Sequence, residues 1–161
     1  GVVAIDIAGP YYIPKEMPSI DKKDFMTNAH SRHGFDRFYK EARDAELSTT
    51  VHSGEENHHA VYEEMEYVVD VLKPHRLGHF VQSYRYPDLL EKVKEANIEL
   101  EICISSNLAT KAVSGFEEFR TIFSIFDKYG IKYTLCTDST YLLKTTIANE
   151  HELYNEIRLF K

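Results

Sequence analysis

His52, Glu55, His79 and Asp138 are the residues of this chain best suited to metal and proton chemistry. Each lies where an apolar run gives way to polar residues. One run passes through Val51 into His52-Ser53-Gly54-Glu55, another ends in Gly78-His79, and a third ends in Thr137-Asp138-Ser139. Two more end in Asp6-Ile7-Ala8-Gly9 and in Ser105-Ser106-Asn107. Histidine nitrogen and aspartate oxygen are donors that suit Zn²⁺. Glu55 follows His52 by three residues, close enough to share a substrate with a metal held there. Bound Zn²⁺ lowers the pKa of water to about 7, and a nearby carboxyl can then shuttle a proton. That is the outline of metal-assisted hydrolysis. His52 and Asp138 supply only two donors, whereas a catalytic zinc takes about three protein ligands and a water. Ser106 and Ser139 read either as members of this rim or as helix N-caps.

The elements that must position these residues alternate. Short apolar or β-branched runs occupy Gly1–Ile7, Leu47–Val51, Arg76–His79, Ile98–Ile104 and Ile131–Thr137. Segments with helical periodicity follow them at Phe35–Leu47, Glu56–Lys73, Pro87–Ala96, Phe116–Tyr129 and Leu143–Lys161. Lys73-Pro74 ends one helix, Pro87 starts the next, and Gly130 closes the Phe-rich one. Strand–helix alternation predicts a parallel α/β sheet. The runs are nearly all apolar, which predicts strands covered on both faces. In such folds the active site sits at the C-terminal ends of the strands, where all five polar clusters fall. Pro10–His33 is a long connection with three prolines, expected to overhang the first strand's C-terminal end.

At 161 residues the chain suits a single domain. With 26 acidic against 19 basic residues it carries a net charge of −7, a field that repels nucleic acids and anionic membranes. No apolar run approaches the roughly 20 residues of a membrane span. Only Cys103 and Cys136 are present, inside apolar runs, which predicts buried reduced thiols and a cytoplasmic protein. The chain opens at Gly1, directly on apolar residues, as expected of a piece of something longer.

Five segments, in order, resemble the adenosine deaminase family of metal-dependent aminohydrolases. They are Val2-Val3-Ala4-Ile5-Asp6-Ile7-Ala8-Gly9, Thr50-Val51-His52-Ser53-Gly54-Glu55, Arg76-Leu77-Gly78-His79, Leu100-Glu101-Ile102-Cys103-Ile104-Ser105-Ser106-Asn107 and Thr137-Asp138. The resemblance implies a (β/α)₈ TIM barrel, of which residues 1–161 would be one partial domain holding about strands 4 to 8. The family's first-strand His-x-His is absent, so the N-terminal half of the same barrel is the expected partner. It further implies Zn²⁺ as cofactor, with His52 and Asp138 as ligands. Glu55 would protonate a purine ring nitrogen, and His79 would orient or deprotonate the attacking water. Gly9 would offer its backbone N–H to the purine, Asp6 would stand behind the ligands, and Ser105 to Asn107 would support the rim.

The sequence also departs from the family pattern. Ser139 stands where a second Asp is usual, Pro10-Tyr11 replaces an acidic pair, and Phe80 replaces a Gly. These changes spare the catalytic set and bear on the substrate. His30 and His33 lie in the long connection, open to a substrate role. His58, His59, His75 and His151 flank helices and read as solvated. Tyr11-Tyr12 reads as loop packing or as a purine stack. The functional expectation is zinc-dependent deamination of adenosine or a related aminopurine by the whole enzyme, with this chain alone inactive. The alternative is a non-catalytic structural or interaction module, because five strands do not close a barrel.

Overall fold

The computed structural model describes residues 2–8 and 34–159. Gly9 and the connection with Tyr11, Tyr12, His30 and His33 lie outside the described residues. In chain order the elements are β1 (Ala4–Ile7), α1 (Phe35–Asp44), β2 (Ser48–Ser53), α2 (Val61–Tyr67), β3 (Arg76–His79), α3 (Pro87–Glu95), β4 (Glu99–Ile102), α4 (Ile104–Ala109), α5 (Phe116–Tyr129), β5 (Tyr133–Leu135), α6 (Thr140–Leu143) and α7 (Ile147–Leu159). The five strands form one sheet in sequence order, and every neighbouring pair is parallel.

The predicted alternation is present, and the local stop signals act as expected. α2 continues through a wider π-type turn, Val68–Leu72, which ends at Lys73 in a left-handed conformation just before Pro74. Pro87 opens α3. Gly130 closes α5 with φ 69°, a conformation glycine adopts without Cβ strain. Two short helices were not expected. α4 begins two residues after β4 ends, so Ser105 to Asn107 sit on a helix and not on a strand end. α6 separates Ser139 from the last helix. Each is less than two turns long, too short to show a helical period in the sequence.

The expectation that the strands are covered on both faces is corrected. Burial alternates along β2 and β4, as side chains on successive residues point to opposite faces. Val51, Leu77, Leu100 and Ile102 join the helices' apolar stripes in one core. The other face carries Asp6, Thr50, Arg76, Glu101 and Thr134, none of them buried. Arg76 pairs with Glu101 across it at 3.1 Å. The sheet is thus helix-covered on one side and polar on the other.

The Phe-rich helix α5 is core. Phe119, Phe123 and Phe126 are fully buried. Phe119 stacks on Phe123 at 5.5 Å, and Tyr154 of α7 meets Phe123 edge-on at 5.0 Å. Phe123→Ala should therefore lower unfolding free energy by about 3–5 kcal/mol in urea titrations. Phe38→Ala, at a half-exposed position of α1, should cost well under that.

Candidate functional site

β2 brings His52 to the polar face at the C-terminal end of the sheet. In the parallel register His52 lies beside Gly78 of β3. A Cβ on residue 78 would stand 3.0 Å from the His52 ring carbon Cγ. The glycine is therefore the space into which the imidazole folds. His52 Nδ1 is 3.2 Å from the Asp6 carboxylate of β1. That contact occupies one ring nitrogen and leaves Nε2 as the one available for a ligand bond.

Glu55 hangs on a turn that buried side chains hold from behind. Gly54 has φ 61°, and a Cβ there would strike Met65 Sδ at 2.4 Å. The Gly54 backbone N–H donates to Glu64 Oε1 at 3.1 Å, and Ser53 Oγ donates to the same oxygen at 2.7 Å. His58 Nε2 lies 2.8 Å from the other Glu64 oxygen. Gln82 Nε2 donates to the Glu55 carbonyl at 3.0 Å and to the Ala112 carbonyl at 2.7 Å. His58 is thus not the solvated residue expected from its place before α2: a nearly buried carboxylate recruits it. His75 is likewise engaged, its Nδ1 accepting the Thr49 N–H at 3.0 Å.

His79 ends β3 and is 2 % exposed. Its Nε2 lies 3.6 Å from Glu55 Oε2, and its ring centroid is 5.3 Å from that of His52. Asn107, on α4, is 3.0 Å from its Nδ1 through the side-chain nitrogen. Burial pushes the His79 imidazole below its ordinary pKa, Glu55 and Asp138 pull it up, and His52 pushes it down. Asp138 follows β5, and its Oδ2 accepts the Ser106 hydroxyl at 2.6 Å. Ser106 is therefore a hydrogen-bond partner inside α4, not an N-cap. Ser139 stands at the N-cap position of α6 and makes no side-chain cap bond.

Three of the eight described non-glycine residues with left-handed φ fall at the site. His79, Phe80 and Asp138 have φ values of 62°, 55° and 56°, where a side chain costs about 1–2 kcal/mol per residue. Strain of this kind persists where surrounding structure enforces it. Sequence reasoning missed Glu64 and Gln82, and it took Asn107 only as rim support. No local pattern marks any of them, because their partners are distant in the chain.

Metal-bound histidines usually give their second nitrogen to a carboxylate, and ligating carboxylates are themselves hydrogen-bonded. His52 with Asp6, and Asp138 with Ser106, have that form. Among the described residues no group of three or more such side chains is placed to hold a metal. The two donors fit zinc in chemistry, and their number is short of a complete site.

The family model for adenosine deaminase matches residues 1–161. The chain belongs to the adenosine deaminase family. An adenosine deaminase of Clostridium botulinum (strain Hall) is 36% identical over 117 residues, 73% of this chain and 33% of that protein. One from C. botulinum strain 657 is 33% identical over 156 residues, 97% of this chain and 41% of that protein. Among solved structures, the Arabidopsis protein ADAL in complex with IMP matches 73% of this chain and 32% of its own, at 29% identity and TM-score 0.62. The N6-methyl-AMP deaminase of Arabidopsis thaliana matches 76% of this chain and 34% of its own, at 31% identity and TM-score 0.62. The chain thus spans about a third of the length of the first curated relatives it matches. An adenine deaminase of Arthrobacter aurescens, 17% identical, shares the fold with TM-score 0.64 over 91% of this chain and 49% of its own. The parallel five-stranded sheet is the corresponding portion of these barrels.

Glu64→Leu should test the support behind Glu55. It strands the donors of Ser53 and Gly54 and the His58 ring. Each buried donor without a partner costs about 1–3 kcal/mol, so urea unfolding should show a loss above about 2 kcal/mol.

Proposed function

We propose that this chain is the part holding about strands 4 to 8 of a (β/α)₈ barrel that hydrolytically deaminates adenosine or a related aminopurine. The observation that carries the reading is the meeting of Glu55 and His79 beside His52 at the C-terminal rim, with Asp138 joined to them through Ser106 and α4. Relatives named for adenosine deamination and structures holding IMP and GMP support a purine as the substrate.

Zinc, when bound, supplies a Lewis acid that makes water a nucleophile at neutral pH. His52 and Asp138 would hold it, with further ligands from outside the described residues. Asp6 orients the His52 ring, and Ser106 orients the Asp138 carboxylate. Glu55 delivers a proton to a purine ring nitrogen as water adds to the amino-bearing carbon, and ammonia then leaves. His79, buried and held by Asn107, orients the attacking oxygen. Gly9 gives its backbone N–H to the purine ring. Ser139 hydrogen-bonds the imidazole edge of the purine without adding charge. The negative net charge argues against nucleic acid or an anionic membrane as partner. Among the described residues no helix is long and apolar enough to cross a membrane. Cys103, buried, and Cys136, half-buried, are free thiols, which supports a cytoplasmic setting.

The test is steady-state ammonia release by the whole protein, with metal content read in parallel. Glu55→Gln keeps the size and loses the proton, so turnover should fall about 10²–10⁴-fold with metal content near normal. Asp138→Asn should lower both metal retention and rate. Ser139→Asp should shift preference toward adenosine and leave zinc untouched. Unchanged turnover in Glu55→Gln would reject the mechanism. A whole protein that deaminates no aminopurine would favour a structural module, a reading that the open polar face of the sheet supports.

A further inference from the structure

We propose that Asn107 is a positioning residue that fixes the tautomer of His79, so that His79 meets the site as a hydrogen-bond donor and not as a base. Asn107 is fully buried and reaches His79 Nδ1 at 3.0 Å through its side-chain nitrogen. An amide nitrogen only donates, so Nδ1 must hold a lone pair and the ring proton must sit on Nε2.

The opposite side of the ring bears on the same arrangement. Nε2 faces Glu55 Oε2 at 3.6 Å. With the amide turned over, Asn107 would accept from Nδ1–H, and the lone pair of Nε2 would face Glu55, an arrangement that holds only while Glu55 keeps its proton. Two acceptors would face each other once Glu55 has given that proton up. In the arrangement shown, an N–H faces the carboxylate. The amide makes no other side-chain bond among the described residues: Asn107 Oδ1 is buried and has no partner. A leucine of similar size would fill the space without that unpaired atom, so packing alone does not account for an asparagine here. The ring lies against His52 at 5.3 Å between centroids.

The consequence for catalysis rests on the deaminase reading; the tautomer does not. With its proton on Nε2, His79 can hold and orient an oxygen between itself and His52. It cannot take the proton of that water. As the water's O–H bond breaks, its proton goes to the Asp138 carboxylate, which returns it to the amino group as ammonia leaves. The ring nitrogen of the purine gains the proton that Glu55 gives.

Long-range 1H–15N spectra of the histidine rings, taken at about pH 8, where an ordinary imidazole is neutral, read the tautomer directly. His79 Nδ1 should resonate in the unprotonated range and Nε2 in the protonated range. Asn107→Asp offers only an acceptor and should move the proton to Nδ1, whereas Asn107→Leu should leave a mixture of tautomers. In the whole protein Asn107→Asp should lower kcat about 10–100-fold with KM and metal content little changed. The unsubstituted protein decides the matter even if a variant does not fold: a protonated Nδ1 there overturns the proposal. An unchanged tautomer in Asn107→Asp also overturns it. A protein with the expected tautomer that deaminates no aminopurine would reject the deaminase reading and leave the assignment standing. Deamination with Nδ1 protonated would do the reverse.

Discussion

The register of β2 against β3 decides where the candidate residues meet. Pairing His52 with Gly78 puts the imidazole over the one residue of β3 that has no side chain to obstruct it. The same register sets Ser53 beside His79. A shift by one residue would turn His52 into the helix-packed core and bring Val51 to the polar face, since side-chain direction alternates along a strand. The core forbids that shift, because Val51, Leu77 and Leu100 are buried together on the other side. Hydrophobic packing on one face therefore holds the chemistry on the other.

A second layer holds the turns that carry the polar groups. Glu64 receives the Ser53 and Gly54 donors, Gln82 ties the Glu55 carbonyl to the Ala112 carbonyl, and Ser106 and Asn107 reach Asp138 and His79 from one short helix. His79 and Asp138, which Asn107 and Ser106 contact, and Phe80 beside His79 have left-handed conformations that side chains disfavour. Phe80 shows the trade most plainly. A glycine would adopt its φ of 55° without strain, but the Phe80 ring is fully buried and adds apolar area to the core.

Much of the fold was legible in the sequence. Strand runs, the Lys73-Pro74 stop, Pro87 and Gly130 each act through local chemistry, and Phe116–Tyr129 carries a full helical period. The two short helices were not legible, being too short for a period to show. The open polar face was misjudged because Thr50, Arg76, Glu101 and Thr134 are spread over four strands, and only the assembled register gathers them on one side. For the site, residue type and position at strand ends drew attention to His52, Glu55, His79 and Asp138. Their supports could not be found in that way: Glu64 and Asn107 matter through partners 11 and 28 residues away.

Anomalous diffraction at the zinc absorption edge bears most directly on the site as a whole. In crystals of the whole protein grown with zinc, we expect one strong peak about 2 Å from His52 Nε2 and from an Asp138 carboxylate oxygen. Glu55 and His79 should line the space beside it. A zinc peak elsewhere, or crystals saturated with zinc that show none at this rim, would contradict the assignment of these residues to one metal-assisted site.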